Sequence, residues 1–178
     1  SASALIQGTV NIDVSNALEF RMRGVSNNTA GGTITINNCG SINMSKDTLV
    51  ANVAVTNITG SGDDVFYQNK VTGSFTLSDD IANGAGIFSG GNTINGATAY
   101  TLNSAASFNT SAGGQGKDIH NGSFSLTRNG TGSFVIAKDN DVEWNGDVIL
   151  NYSSFVNYNP ANKIIIGGSN SSIQQLGT

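Results

Sequence analysis

Two phrases of this chain, IHNGSFSL at 119–126 and EWNGDVIL at 143–150, set Asn-Gly at the same point of an apolar alternation, 24 residues apart. Reduced to a small residue followed by alternating apolar positions, the phrase recurs along the whole chain. Gly8 precedes TVNIDV, Gly32 TITINN, Ala51 NVAVTN, Gly73 SFTLSD, Gly96 ATAYTL, Gly122 SFSLTR and Gly146 DVILNY, at spacings of 24, 19, 22, 23, 26 and 24 that average 23. Two and four positions after the small residue stand Val10 and Ile12, Ile34 and Ile36, Val53 and Val55, Phe75 and Leu77, Thr98 and Tyr100, Phe124 and Leu126, Val148 and Leu150. Only Thr98 is neither apolar nor aromatic. Alternation with period two marks a strand with one face buried, because successive strand side chains point to opposite sides. A helix would need spacings of three and four.

Each unit carries a second apolar patch after a turn: LEFRM at 18–22, SINM at 41–44, DVFYQ at 64–68, GIFS at 86–89, SFNT at 107–110, SFVIA at 133–137 and KIIIG at 163–167. A third, shorter patch precedes the next small residue, as TLV at 48–50, NKV at 69–71, NTI at 92–94, KDI at 117–119 and DVEW at 141–144. Three short strands per unit predict an all-β fold, a right-handed parallel β-helix of about seven turns with roughly 23 residues per turn. With strands of neighbouring turns about 4.8 Å apart, such a coil rises roughly 34 Å. Residues 1–178 then form a single solenoid segment. Asn-Gly marks the corner between the third strand of one turn and the first of the next, where Gly tolerates positive φ and Asn tolerates the left-handed region. The competing reading is a hairpin, for which Asn-Gly is a strong signal, but a meander repeats every 8 to 12 or so residues.

Composition agrees with many short strands and tight turns. The chain has 23 glycines, one proline (Pro160), 38% hydrophobic and only 11% charged residues. A net charge of −4 with eight Lys plus Arg leaves no basic stripe for phosphate neutralisation, which argues against nucleic-acid binding. No apolar run approaches the roughly 18 residues of a membrane helix. SASALIQG has neither the charged start nor the apolar stretch of a signal peptide. Cys39 has no second cysteine to pair with and reads as a small buried side chain. The pattern begins within the first eight residues and ends mid-unit at SSIQQLGT, without a capping segment. This predicts a piece of a longer repeat protein, or a subunit that stacks end to end on copies of itself.

The residue types that carry chemistry are sparse. Paired carboxylates occur at Asp63 with Asp64, Asp79 with Asp80, and Asp139 with Asp141, but no EF-hand or nonapeptide calcium repeat surrounds them, and they read as solvated turn residues. His120, beside Asp118, reads as a surface or corner histidine, since no nucleophile motif accompanies it. The third position after each small residue holds Asn11, Thr35, Ala54, Thr76, Ala99, Ser125 and Ile149, an outward column that is never acidic. That counts against a carboxylate-lined cleavage groove there, and a regular TxT array of the ice-binding kind is missing. Eight N-x-S/T triplets occur, at Asn27, Asn43, Asn57, Asn109, Asn121, Asn129, Asn151 and Asn170, in a composition that generates such triplets freely. No catalytic, cofactor-binding or metal-binding residue is assigned.

The stretch 91–150 resembles repeat regions of very large surface proteins exported by gliding bacteria of the Bacteroidetes group. HNGSFSL, RNGTGSFVIA and DVEWNGDVIL stand where those regions place FNG with alternating strands, NSGSG with a short apolar strand, and a DxFNG corner. The resemblance covers about 60 residues and thins over the first 70, where LEFRM and INNCGSINM depart from it. It implies a type IX secreted adhesin or surface filament, extracellular and on the cell surface, with no family catalytic residues to carry over. Its partners would be neighbouring repeats, copies of itself, surface glycans or other cells. Two other readings stay open: a carbohydrate-binding or carbohydrate-cleaving β-helix of the lyase or tailspike type, and a β-sandwich pilin subunit completed by a partner's strand, for which GDVILNY is the candidate end strand.

Overall fold

The computed structural model describes residues 8–15, 18–60, 62–79, 86–152, 156–166 and 173–176, with the backbone alone described for 27–31, 156–158 and 173–176. Asp80, Asn170, residues 1–7 of SASALIQG and residues 171–172 and 177–178 of SSIQQLGT lie outside these residues. Among the described residues twenty strands wind into three faces. The first face holds β1 (Val10–Asp13), the second halves of β3 (Ser26–Asn37) and β5 (Thr48–Ile58), then β8 (Phe75–Asp79), β11 (Thr98–Leu102), β14 (Phe124–Arg128), β17 (Val148–Tyr152) and β20 (Ile173–Leu176). On the second lie β2 (Phe20–Arg23), β4 (Ile42–Ser45), β6 (Asp64–Tyr67), β9 (Ile87–Gly90), β12 (Phe108–Asn109), β15 (Phe134–Ile136) and β18 (Val156–Tyr158). The third is built from the first parts of β3 and β5 with β7 (Lys70–Val71), β10 (Thr93–Ile94), β13 (Asp118–His120), β16 (Val142–Trp144) and β19 (Ile164–Ile166). Because β3 and β5 run through the corner without a break, the first and third faces form one 13-stranded sheet beside a separate 7-stranded one.

Every pairing among the described residues is parallel and joins one turn to the next. The chain is therefore a parallel β-solenoid of about 23 residues per turn. Neither hairpins nor a donor-strand sandwich fits parallel pairing throughout, since a two-residue turn can join only antiparallel strands. The register is the one the repeat predicts: Val10, Ile34, Val53, Phe75, Thr98, Phe124, Val148 and Ile173 are partners in succession. One patch belongs elsewhere. Ile164–Ile166 of KIIIG pairs with Val142–Trp144 on the third face, and the second-face strand of that turn is Val156–Tyr158. An unbroken Ile run has no alternation to reveal its face, so only pairing assigns it.

Inward side chains stack turn on turn into one core, from Met22 and Ile34 to Val148 and Leu150. Aromatic rings carry much of it: Phe66 meets Phe75 edge-on at 5.3 Å, Tyr100 lies 5.8 Å from Phe124, and Phe124 lies 5.0 Å from Trp144. Each such ring contributes roughly 1.5–3 kcal/mol through burial, with ring pairing adding to it. No helix among the described residues is long and apolar enough to cross a membrane.

Candidate functional site

Chemistry in a solenoid has two places to sit, the outward columns of its faces and its corners. At the corner from third to first face the repeated glycines stack. A Cβ on Gly146 would lie 2.5 Å from the Gly122 carbonyl oxygen, one on Gly96 would lie 2.5 Å from the Gly73 carbonyl carbon, and one on Gly122 would strike Gly96. None of these three has positive φ. The expectation of a left-handed Asn-Gly corner is thus corrected: glycine is required because backbones of adjacent turns approach too closely for a side chain. Asparagine is there for a ladder along the surface, Asn145 Nδ2 donating to Asn121 Oδ1 at 2.9 Å and Asn121 Nδ2 to Asn95 Oδ1 at 2.8 Å.

Of the repeat glycines described, Gly8 (81°) has positive φ, which is also found near the ends of first-face strands at Asn38 and Asn57 and recurs at the corner from second to third face, at Gly24 (66°), Lys46 (60°), Gln68 (57°), Gly91 (71°) and Ala137 (52°). Just after it runs a buried ladder of Asp47, Asn69, Asn92 and Asp118. The Asp47 N–H donates to Asn69 Oδ1 (3.1 Å), the Asn69 N–H to Asn92 Oδ1 (2.9 Å) and the Asn92 N–H to Asp118 Oδ1 (3.0 Å). Sequence reading missed this ladder, although an Asx residue recurs there at intervals of 22, 23 and 26 residues, in step with the repeat. The side chains satisfy main-chain groups that the corner takes out of the strand ladder.

Several carboxylates read as solvated are interior. Asp64 and Asp79 are buried. Asp64 Oδ1 accepts the Ile42 N–H at 2.9 Å, its Oδ2 has no partner, and burial, aided by the charges of Asp79 and Asp63, pushes its carboxyl up to about 8. Asp79 accepts the Ser104 hydroxyl at 2.5 Å. Nearby, the buried Arg128 donates Nη2–H to the Ala106 carbonyl; burial lowers its pKa and Asp79 opposes that shift. Asp63 and Asp141 accept main-chain N–H groups of the next turn, from Gly86 and Lys163, and Asp139 accepts the Gly113 N–H of the preceding turn. They act as turn staples.

His120 is a corner residue, but it is not on the surface. It is 1% exposed, its Nδ1 lies 2.9 Å from Thr98 Oγ1, its ring packs edge-on against Phe124 at 4.9 Å, and burial holds it down to about 3. Cys39 is buried as expected, and burial, with the charge of Asp64, pushes its thiol up to about 11. The column Asn11, Thr35, Ala54, Thr76, Ala99, Ser125, Ile149 does face outward in register.

The third face presents an open groove of about 410 Å³, lined by Thr48, Lys70, Val71, Thr72, Thr93 and Asn95. Its outward column continues through Ile119, Glu143 and Ile165 beside the asparagine ladder. Glu143 is bonded to Lys117 and to Asn145, and these contacts hold its carboxyl below the usual range. The groove therefore offers a lysine ammonium, hydroxyls and amides, which suit hydrogen bonding to a polar partner better than proton transfer. Among the described residues no group of three or more His, Cys, Asp or Glu could hold a metal ion. Compared with known protein families, curated proteins and solved structures, the chain matches none.

Proposed function

We propose that this chain is a structural segment of an extracellular adhesin or surface filament, serving as a stiff stalk or as a contact surface. The observation that carries the reading is the parallel ladder, in which the described strands of all three faces bond to strands of the neighbouring turn. Those hydrogen bonds lie along the axis and share an axial load, so the rod resists both stretching and bending. The resemblance of 91–150 to exported repeat regions supports the same reading, and so does the use of carboxylates as staples and ladder rungs. Neighbouring repeats or further copies of the chain are its natural partners.

The groove around Lys70 favours one further role, contact with surface glycans through hydroxyl, amide and ammonium groups. Axial pulling of the chain between two handles tests the stalk: stepwise loss of turns at high force is expected, whereas extension without resistance would refute it. Incubation with a panel of polysaccharides tests the non-enzymatic part. Binding that weakens in Lys70→Ala with no shortened product fits; cleavage products would overturn it.

A further inference from the structure

The buried ladder at the second corner has an acid at each end, and the oxygens of those two acids play opposite parts. At Asn69 and Asn92 the carboxamide works twice: Oδ1 accepts the N–H of the preceding rung, and Nδ2 donates to a second-face carbonyl, Met44 O at 3.1 Å and Phe66 O at 2.6 Å. Asp47 fills the accepting part, its Oδ1 taking the Val25 N–H at 2.7 Å. Its Oδ2 is the counterpart of Nδ2, is buried, and has no hydrogen-bond partner among the described residues. Met22 pairs with Met44 as Met44 pairs with Phe66, so the carbonyl next in the series belongs to Met22. An ionised oxygen in that slot would set charge against the negative end of a peptide dipole, whereas a protonated one donates as asparagine does.

We propose that Asp47 is held as a neutral carboxylic acid imitating asparagine, so that the corner joining the second and third faces in the first two turns is closed in acid and loosens when Asp47 loses its proton. Asp118 at the far end differs. Its Oδ1 accepts both the Asn92 N–H and Asn92 Nδ2 and its Oδ2 accepts the Ser111 N–H at 2.7 Å, so both oxygens have donors that oppose the upward shift caused by its burial. Charged residues of the elements packed on Asp47 turn to solvent: Arg23 on β2, Lys46 beside it and Lys70 on β7 are all exposed. Burial, opposed by the Val25, Ser45 and Gly24 amides, pushes Asp47 up to about 6. A raised folded value means that the stability due to the proton is complete below the unfolded value near 4 and is lost as pH rises through about 6. The local opening equilibrium then changes by up to about a hundredfold across that window.

The test is amide exchange of the full chain at pH 4 to 8, corrected for intrinsic base catalysis, together with a carbon-13 titration of the Asp47 carboxyl. Protection of the Val25 N–H is expected to fall by ten- to about a hundredfold in the wild type and to stay level in Asp47→Asn. Lower protection in Asp47→Asn at both ends of the range would overturn the proposal. If that variant does not fold, the wild-type titration decides: a midpoint near 6 supports the neutral rung, and one near 4 refutes it.

Discussion

Thr98 Oγ1 and His120 Nδ1 lie 2.9 Å apart inside the core, joining two side chains that each break an apolar column. Thr98 stands between Phe75 and Phe124, and His120 between Ile94 and Trp144. Their hydrogen bond satisfies Thr98 Oγ1 and His120 Nδ1, while His120 Nε2 has no hydrogen-bond partner among the described residues. Thr98→Val should destabilise the chain by about 1–3 kcal/mol, whereas adding His120→Phe should recover part of the loss. A double-mutant cycle by chemical denaturation measures the coupling, and simple additivity would show that the pair is not linked.

The same histidine gives an acid limb. Its folded pKa, about 3, lies below the ordinary 6.5, so the unfolded chain takes up the proton first. Stability due to the neutral imidazole is complete above about 6.5 and is lost as pH falls toward 3. Between pH 7 and 4 the wild type should lose stability relative to His120→Phe, because Asp64 and Asp47 contribute equally to both proteins and cancel in the difference of their denaturation midpoints.

Asp64 acts in the opposite direction. Its carboxyl is raised to about 8, so stability due to its proton is present in acid and is lost as pH rises from about 4 through about 8. Asp64→Asn should be less stable than wild type at pH 5, by about 1–3 kcal/mol for the unpaired amide, and at least as stable at pH 9. Stability curves of the two proteins should cross; parallel curves would contradict a buried, protonated Asp64.

Glycines separate two physical demands. Gly122→Ala drives a Cβ onto the Gly96 carbonyl, and overpacking of this kind costs about 1–3 kcal/mol. Gly114 has φ of 64° with nothing within 4 Å of its Cβ position, so Gly114→Ala should cost only about 1 kcal/mol. Thermal unfolding of the two variants checks the order.

Asn121 accepts from Asn145 and donates to Asn95 on the surface ladder. Asn121→Asp keeps the acceptor and replaces the donor by an oxygen facing Asn95 Oδ1. A loss of about 1 kcal/mol is expected, and Asn121→Gln, whose longer side chain misses the rung, should not restore it.

The repeat length, the three strands per turn, the inward columns and the pairing register were all legible in the chain. Alternation and spacing report which positions share a face, and parallel stacking of equal units leaves little freedom in register. Cys39 was placed correctly on the same grounds. What the chain by itself could not decide was the fate of its polar residues. Asp47, Asp64, Asp79, His120 and Arg128 are buried because their burial depends on hydrogen-bond partners or neighbours from other turns, and no local pattern records such partners. Nor could it explain its own glycines. Their purpose became visible only once the carbonyl of the preceding turn was seen to occupy the space a side chain would need.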